Sequence, residues 1–251
     1  MSRRVVRREG LVDGKAWVLA CTAALPAWAV RSGAEEGWTA LFDGKSLSGW
    51  QVKCVKADAG KTFWTVADGA IVCNSLGDGD HDYVWLMTEK EYGDFELRLQ
   101  VRSYPNSSGN TGVQVRSRYD EAKGWLDGPQ VDIHPPAGWR SGLIYDETRS
   151  ANRWIFPSLK NWAIKPEQGP KEWKWEKDGW NAIYIRCEGM RIVTRVNGLP
   201  IADYDGTGVL DDASHRQLNV GLTGFIALQL HKNDRLLVAF KDIAIRPLPA
   251  K

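Results

Sequence analysis

From Trp38 onward the chain alternates apolar and polar residues in short runs divided by glycine turns, and no stretch keeps a helical period beyond about two turns. This pattern predicts an all-β domain over residues 37–249. In Phe95–Val101 the period of two puts Phe95, Leu97, Leu99 and Val101 on one face. Ile183–Arg186 reads as a strand that turns at Glu188-Gly189 into Arg191–Val196, and Asn197-Gly198 is a strong hairpin signal because both residues tolerate positive φ. Leu236–Ile245 closes the sheet and Pro247 ends it. Ten or more strands at this spacing predict two stacked sheets, since a lone sheet would leave an apolar face in water. No internal repeat occurs, which argues against a propeller. Between Arg149 and Gly179 the alternation lapses while Trp154, Phe156, Trp162, Trp173 and Trp175 crowd together. So many aromatics in a long connection predict a packed rim or lid.

Three predicted strands carry hydrogen-bonding groups on the face turned away from their apolar side. Gln114 and Arg116 lie opposite Val113 and Val115; Gln130, Asp132 and His134 lie opposite Val131 and Ile133; Ala227, Gln229 and His231 lie opposite Ile226, Leu228 and Leu230. Any one such strand reads as an ordinary solvated face. Three in one sheet, with two of only four histidines, would form a continuous polar patch. Amides, a guanidinium, a carboxylate and imidazoles are the groups that bond sugar hydroxyls, and thirteen tryptophans supply flat faces for pyranose C–H groups. His81-Asp82 follows an acidic glycine-rich turn without the spacing of a known calcium loop, and His215 after Asp211-Asp212 reads as part of a solvated loop.

Composition narrows the class. With 43% hydrophobic and 25% charged residues among 251, the chain is ordinary globular protein. Its net charge is +2, but residues 1–29 hold five basic against two acidic residues, and without them the charge is about −1. With no basic block in the remainder, nucleic-acid binding is excluded as an expectation. Residues 1–30 read as a signal peptide: four arginines by position 8, an apolar run from Ala16 to Val30 too short to span a bilayer, and Ala27-Trp28-Ala29 for cleavage. The expected destination is periplasmic or extracellular, with no transmembrane segment in the mature protein. Of four cysteines, Cys54, Cys73 and Cys187 remain after cleavage, so at most one bridge forms; Cys54 with Cys73 is the candidate pair, and buried free thiols are the favoured reading. No zinc spacing, Gly-x-Ser-x-Gly, phosphate loop or dinucleotide fingerprint is present.

Several blocks together resemble the family of 3-keto-disaccharide hydrolases, also described as 3-keto-α-glucoside 1,2-lyase and 3-keto-2-hydroxy-glucal hydratase domains. They run from Leu41-Phe42-Asp43-Gly44 through Tyr92-Gly93-Asp94-Phe95 and Gly109-Asn110-Thr111-Gly112-Val113 to Gly142-Leu143-Ile144-Tyr145 and Leu228-Gln229-Leu230-His231. The resemblance implies a concanavalin-A-like jelly-roll sandwich of two antiparallel sheets with its ligand on a concave face. The partner it implies is a small oxidised sugar or glycoside. Where the family pattern carries Glu-x-Gln, this chain has Gly128-Pro129-Gln130 and an acid later, at Asp132.

A ketone at C3 of a glucoside acidifies the C2 hydrogen, so a base can form an enolate that expels the C1 substituent. That chemistry needs a base of near-neutral pKa, a donor or metal at the ketone oxygen, and an acid for the leaving group. His231 and His134 are the candidate proton-transfer groups, with Asp132 orienting an imidazole or binding a cation. Arg116 and Gln130 are expected at the developing enolate or on hydroxyls, and Gln114, Tyr145 and Gln229 around the sugar. A divalent ion on Asp132 and a histidine is a candidate cofactor, since it would stabilise the same intermediate, and sequence spacing alone does not decide it. The rival function on the same fold is a non-catalytic, lectin-like carbohydrate-binding module.

Overall fold

The computed structural model describes residues 36–249, so the signal peptide expected over residues 1–30 lies outside the described residues. In chain order the strands are β1 (Thr39–Ala40), β2 (Trp50–Cys54), β3 (Trp64–Ala67), β4 (Ala70–Asn74), β5 (Val84–Thr88), β6 (Phe95–Ser103), β7 (Thr111–Asp120), β8 (Trp125–Asp127), β9 (Pro129–Ile133), β10 (Ile144–Asp146), β11 (Arg153–Phe156), β12 (Asn181–Glu188), β13 (Arg191–Val196), β14 (Leu199–Asp205), β15 (Phe225–Leu230) and β16 (Leu237–Pro247). One short helix, α1 (Ala213–Leu218), precedes β15.

Two antiparallel sheets of eight strands result. The first runs β14-β13-β12-β6-β16-β4-β3 with β1 beside β16; the second runs β11-β10-β9-β7-β15-β5-β2 with β8 paired to β7. The core lies between them because the alternation puts apolar residues inward on both. Leu97 and Leu99 of β6 and Ile183 and Ile185 of β12 join Val113 and Val115 of β7, Val131 and Ile133 of β9, and Leu228 and Leu230 of β15 in one buried cluster. Each such side chain contributes about 1.5–3 kcal/mol by leaving water. This is the two-sheet sandwich that the strand pattern predicts, of the jelly-roll kind that the resemblance implies.

The other face of the second sheet is divided in two. Val84 and Leu86 of β5 face the main core, whereas Trp85 and Met87 point outward and meet Leu126 of β8 and Ala227 in a second apolar cluster. β8 thus roofs one half of this face. The other half, toward His134 and His231, is left for a cavity.

Three readings of the sequence are corrected here. His215 is buried, not on a solvated loop: it sits in α1, with Nε2 3.1 Å from Asp146 Oδ2 and Nδ1 2.9 Å from Asp212 Oδ1. The segment after Arg149 is not all rim, since β11 pairs with β10 and buries Trp154, while Trp162 remains 76% exposed. The Cys54–Cys73 alternative does not form, because Cys54 on β2 and Cys73 on β4 belong to different sheets and all three described cysteines are free.

Gly128 stands where the resemblance implies a glutamate. Its φ is +138°, and an added Cβ would fall 2.3 Å from Ser117 Oγ and 2.9 Å from Ser117 Cα. Neither backbone nor space admits a side chain. Gly128→Ala is expected to lower stability by about 1–3 kcal/mol, read as a shift of the urea midpoint; an unchanged midpoint would mean that Ser117 moves freely.

Candidate functional site

A cavity of about 610 Å³ opens on the unroofed half of the second sheet. Period-two alternation in β9 sends Gln130 and Asp132 to its floor, and His134 follows at the strand end. Tyr145 and Glu147 enter from β10 and the residue after it, His231 from the end of β15, and Arg140 from the 3-10 turn Pro135–Arg140. Tyr83, Trp125 and the exposed Trp162 form its aromatic walls.

Two carboxyls at this site are driven toward neutral pKa. Burial raises Asp132 to about 6, opposed first by Arg140 and then by His231. Arg140 Nε donates to Asp132 Oδ2 at 3.2 Å, and Asn110 Nδ2 donates to Oδ1 at 3.1 Å. Glu147 is raised to about 7, again by burial, with Gln229 and His231 opposing. Among the described residues it has no ion-pair partner within salt-bridge distance; Gln229 Nε2 donates to its Oε1 at 3.2 Å.

The two histidines diverge. Burial, followed by the nearby Arg140, lowers His134 to about 4, so it is a neutral imidazole at pH 7. Burial also disfavours charge on His231, but the hydrogen bond and charge of Asp234, joined by Glu147, outweigh it and raise its pKa. His231 Nδ1 lies 3.3 Å from Asp234 Oδ2 and Nε2 lies 3.1 Å from the Tyr83 hydroxyl. Both ring nitrogens are therefore oriented. Asn110 Oδ1, Gln130 Oε1 and His134 Nδ1 are buried at the cavity without a partner among the described residues. Unmade bonds of this kind cost about 1–3 kcal/mol each, and a hydroxyl-rich ligand would supply them.

Of the eight residues expected here, His231, Asp132, His134, Gln130 and Tyr145 line the cavity. Three require correction. Gln229 lies behind the wall and holds Glu147 instead of facing the ligand. Gln114 is fully buried under β8, where its Nε2 donates to the Leu126 carbonyl at 2.9 Å. Arg116 does not converge with Asp132 and His231. Its φ of +50° breaks the strand alternation, and its guanidinium is consumed by the carbonyls of Gly93, Gly189 and Gly221 and by Asp94 Oδ1 at 2.6 Å.

Arg140 is the guanidinium that reaches the site, and Glu147 is the acid that sequence reasoning missed. Glu147 was legible in principle, two residues from Tyr145 on the same face. Arg140, Asn110 and Asp234 come from turns and loops, where no periodicity marks a face. For the candidate cation, Asp132 is already engaged by Arg140 and Asn110. No group of three or more His, Cys, Asp or Glu side chains suited to a metal occurs among the described residues.

A family model described as the 3-keto-alpha-glucoside-1,2-lyase-like domain matches residues 37–246. Among solved structures, a Parabacteroides distasonis protein with a provisional glycosyl hydrolase name is similar at TM-score 0.57 and 18% identity, over 85% of this chain and 95% of that chain. Another such protein from the same organism gives TM-score 0.51 and 21% identity over 84% and 99%. The exoplasmic/lumenal domain of VIP36, in its form bound to Ca2+ and Man3GlcNAc, gives TM-score 0.51 and 8% identity over 86% and 90%. At these identities the likeness is one of fold. No curated protein matches the chain.

Proposed function

The chain belongs to the 3-keto-alpha-glucoside-1,2-lyase-like domain family, and on that premise we propose that it cleaves 3-keto-glycosides by elimination. The observation that carries this reading is the pairing, in one cavity, of the unpaired buried carboxyl Glu147 with His231, whose charge Asp234 supports. Elimination needs just such a base and acid. Glu147 takes the C2 proton, the C2–H electron pair becomes the enolate of the C3 ketone, and collapse of the enolate breaks the C1–O bond. The imidazolium of His231 returns a proton to the leaving oxygen, giving a 2-hydroxy-3-keto-glucal; addition of water across C1–C2 then completes net hydrolysis. Asp132 holds Arg140 against the site, where its positive charge stabilises the enolate oxygen. Gln130, Asn110 and His134 supply the unspent hydrogen bonds for sugar hydroxyls, with Tyr145 alongside.

Export to the periplasm or cell exterior is part of the proposal, supported by the basic and apolar pattern of residues 1–30. Among the described residues no helix is long and apolar enough to cross a membrane.

The deciding experiment follows a 3-keto-glucoside and 3-keto-trehalose by NMR with purified protein, with and without chelator. Cleavage by the wild type and about a 10²-fold loss in His231→Ala are expected. Binding of unoxidised glycan with no cleavage of any keto-sugar would instead assign the lectin-like function.

The pH profile is a second test. Glu147 must be ionised to act as base, so kcat/KM rises as pH passes its pKa of about 7. His231 must be charged to act as acid, so the rate falls once pH exceeds its raised pKa. The result is a bell whose limbs belong to the coupled pair. A flat profile from about pH 5 to 9 would count against both assignments.

A further inference from the structure

A second cavity, of about 750 Å³, adjoins the first. Ser108 lines both, and Pro135 and Pro136 of the second follow directly on His134 of the first. The two cavities are therefore neighbours across Ser108 and the His134–Pro136 turn.

The two cavities differ in what they offer. The first keeps buried polar atoms without partners. In the second, Ser103 Oγ already donates to the Lys177 carbonyl at 3.2 Å, and Ser107 Oγ already accepts the Leu237 N–H at 3.0 Å. Its other polar groups, Asn106, Ser108, Lys177 and Asp178, are exposed to solvent, and its walls are flat: Pro105, Pro135, Pro136, the Tyr104 ring, and the indoles of Trp173 and Trp175. Arg102 stacks on Tyr104 at 4.9 Å, and a Cβ at Gly138 would fall 2.5 Å from Trp175 Cβ, so both rings are held by close neighbours. Trp175 Nε1 is buried with no partner and supplies a single donor.

We infer that this second cavity is the leaving-group subsite and that it takes a planar aromatic aglycone of phenolic type, stacked between the proline and indole walls. The inference rests on the proposed elimination, which requires a C1 substituent to leave from the first cavity. A second pyranose would find here only polar groups that are already bonded or hydrated, so its hydroxyls gain little, whereas an aromatic ring gains from stacking on the flat walls and needs one polar contact at most.

The test uses Trp173→Ala, a residue 48% exposed and outside the catalytic cavity, with three substrates: phenyl 3-keto-glucoside, methyl 3-keto-glucoside and 3-keto-trehalose. KM for the phenyl substrate is expected to rise about tenfold, the scale of one lost stack, with KM for the methyl substrate unchanged. An unchanged phenyl KM overturns the inference, as does a larger rise for 3-keto-trehalose, which would make the subsite one for sugar. Should the wild type cleave none of the three, the elimination reading fails on its own, and the subsite is judged by binding. Saturation transfer to the aromatic protons of unoxidised phenyl glucoside that weakens in Trp173→Ala supports it; equal transfer, or none to the wild type, overturns it.

Discussion

Glu147→Gln is expected to lower turnover of a 3-keto-glucoside by about 10²–10⁴, the contribution of one positioned general base. The amide is nearly isosteric and keeps the contact to Gln229, so cavity shape survives while the proton acceptor is lost. The same substitution carries a signature that a merely structural residue would not show. Burial raises the Glu147 pKa from 4.5 to about 7, so its ionised form is disfavoured in the fold. Its share of stability is complete below pH 4.5 and declines as pH rises through about 7. At pH 8 the glutamine variant should therefore be the more stable protein, by up to about 3 kcal/mol. Measuring kcat and the urea midpoint on one preparation checks both. A variant that loses activity and stability together would remove Glu147 from the base role, and one that keeps full activity would do so directly.

Arg116→Ala should have the largest effect on folding. The side chain is fully buried and donates to three loop carbonyls and to Asp94. Two of those carbonyls belong to opposite sheets' connections: Gly189 follows β12, and Gly221 precedes β15. Removal leaves Asp94 without this cation and the carbonyls without their donors, at a cost of about 3–5 kcal/mol against a typical total of about 5–15. Arg116→Lys should recover little, since one ammonium cannot match the planar fork across four acceptors. If the alanine variant does not fold, Asp94→Asn offers a milder removal of the same ion pair, still visible in the urea midpoint. A change under about 0.5 kcal/mol in both Arg116→Lys and Asp94→Asn would show that the loops hold without this clasp.

These two residues mark where sequence reading succeeds and fails. Strict alternation would put Arg116 on the face of Gln114, but its positive φ and the register shift between β7 and β15 turn it away. Glu147 follows the alternation of Tyr145, yet it lies past β10, where a hydrogen bond from its own N–H to the Gly128 carbonyl places it. It thus stands beside Gly128, where an added Cβ would clash with Ser117.

What the sequence determined by itself was local: the β class, the facing of Gln130, Asp132 and His134 opposite Val131 and Ile133, and the hairpin at Asn197-Gly198. Those follow from covalent geometry, because a strand sends successive side chains to opposite sides whatever lies beyond. Tertiary structure alone decided which part of the polar face stays open, since β8 covers Gln114 and leaves the cavity lined by Asp132 and His231. It also decided which arginine arrives and how far each carboxyl is lifted. Enclosure, desolvation and charge proximity depend on segments distant in the chain, and no local spacing encodes the distances between them.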